Sequence, residues 1–172
     1  MRRKRRIIKT LSFIFFALLI ISCTQGPALA TSSYFGRADA IKVNLYFLRS
    51  DENCLIIELV PVECVIENNM TEKAVRSTLE KLLKGPTEEE KERLNLWTSI
   101  PEGVKVNNVR VDKDSKTVFI DFSKELQNYG GGSLSVLCIR GQIEETLKQF
   151  REIEEVVITV QGKGEEDGIL QP

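Results

Sequence analysis

The sequence predicts a single α+β domain: a largely antiparallel or mixed sheet of about five strands, with two main helices packed on one face. Hydrophobic residues make up 42% of the 172 residues and charged residues 28%, a balance that supports a folded core. Beyond residue 40, segments that alternate apolar and polar residues are interrupted by segments with helical periodicity. The resulting element order is β-β-α-β-β-α-β.

Two strands open the predicted domain. Residues 41–47 alternate apolar and polar side chains, which is the pattern of a half-buried strand. Residues 55–66 are nearly all apolar but contain Pro61 in the middle. Because proline cannot donate a hydrogen bond to a ladder, this second strand is expected to lie at a sheet edge or to carry a bulge.

A helix follows, capped by Asn69 or Thr71, and the chain then turns a corner. Gly85 supplies a left-handed cap and Pro86 prevents the helix from continuing. The run from Thr87 to Glu90 has the pattern of a capping box, so a second, short helix is expected to about residue 94. We expect an apolar plug at this corner, formed by Leu94, Leu96, Trp97 and Ile100. Trp97 could instead be an exposed contact residue for a partner.

A hairpin is predicted from residues 104–112 and 117–122, with its turn at 113–116. In the first arm the valines change parity partway along, which predicts a β-bulge at Asn107 and Asn108.

The last part of the chain predicts a short helical turn at 123–129, a glycine connector at 130–132 and the longest helix, capped by Ser133. The glycines could alternatively cradle an anion at the helix start, although no phosphate-loop pattern accompanies them. Residues 156–160 are apolar on both faces, as in an interior strand. Residues 163–172 are expected to form a frayed acidic tail.

The N-terminus has the features of a lipoprotein signal peptide over residues 1–22. A basic start precedes an apolar run at 11–21, which is short for a membrane-spanning helix. Ser22 and Cys23 end this run in the manner of a lipobox, in which the cysteine is lipidated and becomes the mature N-terminus. We therefore expect Cys23 to carry the lipid anchor, residues 23–40 to be a flexible tether and residues 41–162 to be the folded domain.

Two other outcomes stay open for this segment. Residues 28–30 offer a site for ordinary signal cleavage, which would release a secreted protein. The segment could also stay uncleaved as an anchor. All three outcomes place the domain outside the cytoplasm, and the lipid anchor would hold it at the cell membrane.

The charge pattern argues against a nucleic-acid partner. Six of the 24 basic residues precede the apolar run, and all 25 acidic residues follow it. From Cys23 onward 18 basic side chains face 25 acidic ones, a difference of −7. A mixed, acidic surface of this kind lacks the basic stripe that nucleic-acid binding needs.

The residues available for chemistry are few, and we predict no catalytic residue, metal or cofactor. Histidine, the usual general base, does not occur in the chain. Cys54, Cys64 and Cys138 lack metal-ligand spacing and are interpreted as small, half-buried hydrophobic residues, although a bond from Cys54 or Cys64 to Cys138 stays open. The prediction is a protein that is not an enzyme.

The order of short motifs over residues 41–162 resembles the GerMN domain of sporulation and spore germination proteins. The motifs that carry the resemblance lie at residues 45–47, 59–62, 82–87, 99–103, 118–123, 131–133, 142–143 with 146–147, and 157–162. The resemblance implies a non-catalytic, membrane-attached lipoprotein that takes part in protein–protein assembly, with protein partners or copies of itself. The alternative is an extracytoplasmic small-ligand-binding or sensor domain, which would need a concave pocket. A hydrolase with paired carboxylates is the third hypothesis.

Overall fold

The structure, a computed structural model, describes residues 40–51, 56–67 and 71–171. The predictions for the signal peptide, Cys23, the tether, Asn69 and Cys54 lie outside these residues. The elements follow in chain order: β1 Ala40–Ser50, β2 Ile57–Glu67, α1 Thr71–Leu82, α2 Glu88–Leu94, β3 Leu96–Trp97, β4 Val106–Asp112, β5 Thr117–Phe122, a 3₁₀ turn Lys124–Gln127, α3 Gly132–Lys148, β6 Glu155–Val160 and a 3₁₀ turn Glu165–Asp167.

The predicted α+β class is confirmed, and the strands divide between two three-stranded sheets. The first sheet has the order β2-β1-β3, and both of its pairs are antiparallel. The second has the order β4-β5-β6, with β4 antiparallel and β6 parallel to β5. A parallel pair needs a long crossover, which α3 provides between β5 and β6.

Both sheets and both long helices contribute to one hydrophobic core. Phe47 of β1, Leu79 of α1, Phe122 of β5 and Ile139 of α3 are each at most 1% exposed and belong to the same cluster. The apolar stripe of α3 therefore packs as its helical spacing predicts.

The corner after α1 contains the predicted glycine cap and capping box. Gly85 adopts φ +73°, and Thr87 and Glu90 form the expected capping box at the start of α2. Leu96 and Ile100 are buried, and Trp97 is half-buried with its indole Nε1 donating to Ser50 Oγ at 3.2 Å. Leu94 is 44% exposed, so its assignment to the plug was wrong. It ends a helix of only seven residues that buries no side chain.

The hairpin of β4 and β5 contains the predicted bulge, which appears as a register shift between Val106 and Asn108. At this bulge Asn107 donates its side-chain amide to the carboxylate of Asp121 at 2.9 Å. Asp121 also accepts from Thr159 Oγ1 at 2.8 Å and from the backbone N–H of Gly162 at 2.7 Å. One carboxylate thereby ties all three strands of the second sheet together.

This network gives a pH-dependent prediction. Burial raises the pKa of Asp121, but the three donated hydrogen bonds outweigh burial and bring the pKa below its usual 3.8. Because the folded pKa is below the unfolded one, the stabilisation is present above about pH 4 and is lost as the pH falls through the folded pKa. We expect Asp121→Asn to reduce the free energy of unfolding at pH 7 by about 1 kcal/mol, a figure that allows for solvent screening. Denaturant melts should show this difference shrinking below pH 4. A difference independent of pH would contradict the prediction.

Three expectations for the C-terminal third were wrong. The N-cap of α3 is Gly131, at φ +94°, and Ser133 lies inside the helix and is exposed. Strand β6 was predicted to be an interior strand, but it lies at the edge of its sheet because β5 is the central strand. Both faces of β6 are apolar, yet only one of them is fully buried.

The chain end is the third correction, because it is docked rather than frayed. Ile169 and Leu170 are 3% and 1% exposed and belong to the main core. Arg140 of α3 donates to Glu165 at 3.3 Å and to the backbone carbonyl of Leu170 at 3.5 Å. The acidic residues that suggested a solvated tail are exposed, but the two apolar side chains beside them are buried in the core and hold the segment in place.

Candidate protein-binding edge

Strand β3 pairs with only two residues of β1, and polar side chains of α3 and of its C-cap Gln149 cover part of the remaining side of β1 that faces away from β2. Gln149 uses its side-chain amide to accept from the N–H of Asn44 and to donate to its C=O, both at 2.7 Å. Thr146 Oγ1 accepts from the N–H of Tyr46 at 3.1 Å, and Gln142 Nε2 donates to the Tyr46 carbonyl at 3.1 Å. The helix therefore takes the place of a neighbouring strand, and β1 offers no edge on this side.

Gln142 also attaches the corner to this arrangement. Its Oε1 accepts from the backbone N–H of Ser99 at 2.9 Å and from Thr98 Oγ1 at 3.2 Å, and the residue is 0% exposed. In the sequence Gln142 belongs to one of the motifs that carry the family resemblance, and no role was predicted for it. The signal that could have found it is a polar residue directly beside the apolar stripe of a helix.

The outer edge of β4 is covered in a similar way by α1. Arg76 donates to the carbonyl of Val106 at 2.8 Å and to that of Asn107 at 3.2 Å. Glu72 accepts from the N–H of Val111 at 3.0 Å. Each sheet thus has one edge that a helix occupies with side-chain hydrogen bonds.

Strand β2 has a different edge. Because the backbone groups of Asn44 and Tyr46 point to α3, the residues opposite them, Glu63 and Pro61, are in non-hydrogen-bonded pairs and direct their own backbone groups away from β1. This alternation also directs the backbone groups of Leu59 and Val65 outward. The sequence prediction that Pro61 marks an edge strand is confirmed, and the missing N–H is one that the sheet does not use.

This outer edge is long and accessible. The strand has 11 residues, its register with β1 is unbroken, and Val65 is 53% exposed. Among the described residues no hydrogen bond reaches the outward N–H groups of Leu59, Glu63 or Val65. An extended segment of another protein could add to such an edge as a further strand.

One groove among the described residues has the size of a small-ligand site. It has a volume of about 590 Å³ and is lined by the end of α1 and the segment before β4, through Glu80, Leu83, Lys84, Gly103, Val104, Lys105 and Val106. Its floor is apolar, whereas Glu80, Lys84 and Lys105 are exposed side chains. A ligand here would find no buried polar group to fix its orientation, which pockets for small molecules normally provide.

The remaining candidates for chemistry are the cysteines and the acidic residues. Cys64 and Cys138 are free thiols, and burial raises the pKa of each, which disfavours the reactive thiolate. Within residues 40–51, 56–67 and 71–171, no three acidic or cysteine side chains are grouped to hold a metal ion. Over the same ranges no helix has the length and apolar character needed to cross a membrane.

A family model and solved structures are similar to this chain. A family model named Germane, described as sporulation and spore germination, matches residues 44–166. The search of curated proteins found no match.

Two solved structures have a similar fold. One contains the tandem GerMN domains of the sporulation protein GerM from Bacillus subtilis, with 21% identity and a TM-score of 0.54 over 72% of this chain. This chain covers 40% of that structure's length. The other is the first GerMN domain of the same protein, with 26% identity and a TM-score of 0.51, and the match covers 72% of this chain and 85% of that one.

Proposed function

The chain belongs to the Germane family of sporulation and spore germination proteins, and from this premise we propose that it is a non-catalytic lipoprotein that binds other proteins at the outer face of the cell membrane. In this proposal Cys23 carries the lipid, residues 23–40 act as a tether and the folded domain makes the contacts. The partners belong to an envelope assembly of sporulation or germination.

The observation that carries the proposal is the uncovered outer edge of β2. Helix side chains occupy one edge of each sheet, whereas no described residue hydrogen-bonds to the outward edge of the 11-residue strand β2. An open edge risks unwanted pairing, so natural proteins usually block it. Retention of this edge supports a role in protein contact.

The sequence around Cys23 supports the anchor. An apolar run too short to span a bilayer ends at a small residue followed by cysteine. Attachment through two or more acyl chains is effectively stable, whereas a single chain binds reversibly. A lipid anchor would confine the acidic domain to the membrane surface without requiring the domain to bind anionic lipid.

Metabolic labelling with a fatty acid tests the anchor. We expect the wild-type protein to incorporate the label and to be recovered in the membrane fraction, and Cys23→Ala to lose the label completely. Cys64→Ala is the matched control, because it removes a half-buried thiol of the folded domain and should keep the label. An unlabelled wild-type protein, or a Cys23→Ala variant that keeps the label, would refute lipidation at Cys23.

The assembly role has its own test. Full-length protein purified from the membranes of sporulating cells should retain specific protein partners after mild crosslinking. A strict monomer without partners, both in sporulating and in germinating cells, would count against assembly even if Cys23 is lipidated.

A further inference from the structure

The outer edge of β2 offers a defined set of backbone hydrogen-bonding groups. Leu59, Glu63 and Val65 direct both N–H and C=O outward, and Pro61 directs only its C=O outward. An added strand can therefore form a ladder with one donor missing at Pro61. A partner segment would gain its affinity from this ladder and its specificity from side chains at alternate positions.

The side chains of β2 determine what kind of segment fits. On one face the exposed residues Glu63 and Glu67 flank Val65. On the other face Val62 and Cys64 are partly buried against the core. Since directly opposed residues of neighbouring strands share a face, an added strand would meet acidic groups at alternate positions on one face and apolar groups on the other.

All the charged residues of this edge strand are acidic. Strand β2 contains Glu58, Glu63 and Glu67 and no basic residue. Arg49 and Lys42 of β1 pair with the first two, but all four side chains are more than 40% exposed, so these pairs neutralise the edge weakly. Within the described residues Glu67 has no salt bridge. A second copy of the chain would bring the same acids to the edge, and like charges opposite each other are destabilising.

We propose that the outer edge of β2 binds an extended segment of a partner protein in which basic residues alternate with apolar ones. The basic side chains lie opposite Glu63 and Glu67, the apolar ones extend the surface of Val62 and Cys64, and the segment becomes the fourth strand of the first sheet. This inference rests on the proposed function and adds the chemistry of the partner.

A peptide of alternating valine and lysine, as long as the 11 residues of β2, is the probe. Its binding to the full-length protein in nanodiscs of uncharged lipid is measured by fluorescence anisotropy. We expect Val65→Pro to weaken binding roughly tenfold or more, because it removes an outward N–H that β1 does not use. Val65→Ala, which keeps this N–H, is the matched control and should stay within about threefold of wild type. Added salt should weaken binding by the wild-type protein.

Two further probes separate the ladder from charge alone. The same peptide with N-methylated backbone keeps its charge but cannot form a ladder, and a valine–glutamate peptide keeps the ladder but reverses the charge. Neither should bind measurably. If Val65→Pro fails to fold, the N-methylated peptide with wild-type protein decides the question.

Three outcomes would overturn the proposal: equal binding by Val65→Pro, equal binding of the N-methylated peptide, or self-association of the protein that Val65→Pro abolishes. The last result would identify a second copy as the occupant. The assay does not depend on acylation or on a role in sporulation. A protein that binds the peptide but carries no lipid would refute the anchor alone.

Discussion

Replacement of Gln142 by alanine should be one of the most destabilising single changes in the domain. Gln142 is fully buried and joins three parts of the molecule: α3, the Tyr46 carbonyl of β1 and the Ser99 N–H of the corner. Among the described residues every buried side-chain polar atom has a partner. Removing this amide leaves buried backbone groups unpaired and opens a cavity, and we expect a loss of about 3 kcal/mol.

Gln149 provides a matched control for this measurement. It is the C-cap of the same helix, seven residues on, and makes the same kind of amide contact with the backbone of Asn44, but it is exposed. Water can replace its hydrogen bonds, so Gln149→Ala should cost less than about 1 kcal/mol. Thermal melts should show a drop of roughly 10 °C for Gln142→Ala and a much smaller one for Gln149→Ala. Equal effects would mean that Gln142 does not hold the corner.

The second large effect concerns the chain end. Leu170 is 1% exposed in the main core, and its backbone is held in the left-handed region at φ +46°. We expect Leu170→Ala to lower the free energy of unfolding by about 2–3 kcal/mol through the lost side chain and the remaining cavity. Urea denaturation at neutral pH measures this change.

The charged residues of the same segment supply the comparison for Leu170. Glu166 and Asp167 are exposed, and replacing Glu166 by glutamine should change stability by less than about 0.5 kcal/mol. If Leu170→Ala were as mild as Glu166→Gln, the segment would be frayed, as its composition had suggested, and its docking against α3 would be wrong.

The correct predictions come from residues that determine the backbone conformation within a few positions of themselves. Pro61 lacks an N–H, which restricts it to the outward-facing positions of an edge strand, and that is where it lies. Gly85, Thr87 and the parity change at Asn107 are likewise signals that act within a few residues. The family resemblance is confirmed by the match over residues 44–166, and it rested on the order of such local signals.

The features that were missed depend on contacts between distant segments. The division into two sheets depends on α3 and α1, whose side chains occupy the edges of β1 and β4. Leu170 is buried in the main core and its carbonyl accepts from Arg140, thirty residues away, and nothing in the acidic segment itself indicates these contacts. The candidate site follows the same division: Pro61 identified the edge strand, but only the pairing register shows which backbone groups face outward.

We propose that this protein acts from the membrane by contact through the β2 edge. Site-specific photo-crosslinking in sporulating cells can detect such contacts, with the photoreactive residue placed either at Val65 or at Lys113 in the exposed β4–β5 turn. We predict protein adducts from position 65 in the membrane fraction, their loss when Cys23→Ala is combined with the probe, and no matching adducts from position 113. No adduct from position 65, or the same adducts from both positions, would contradict the claim.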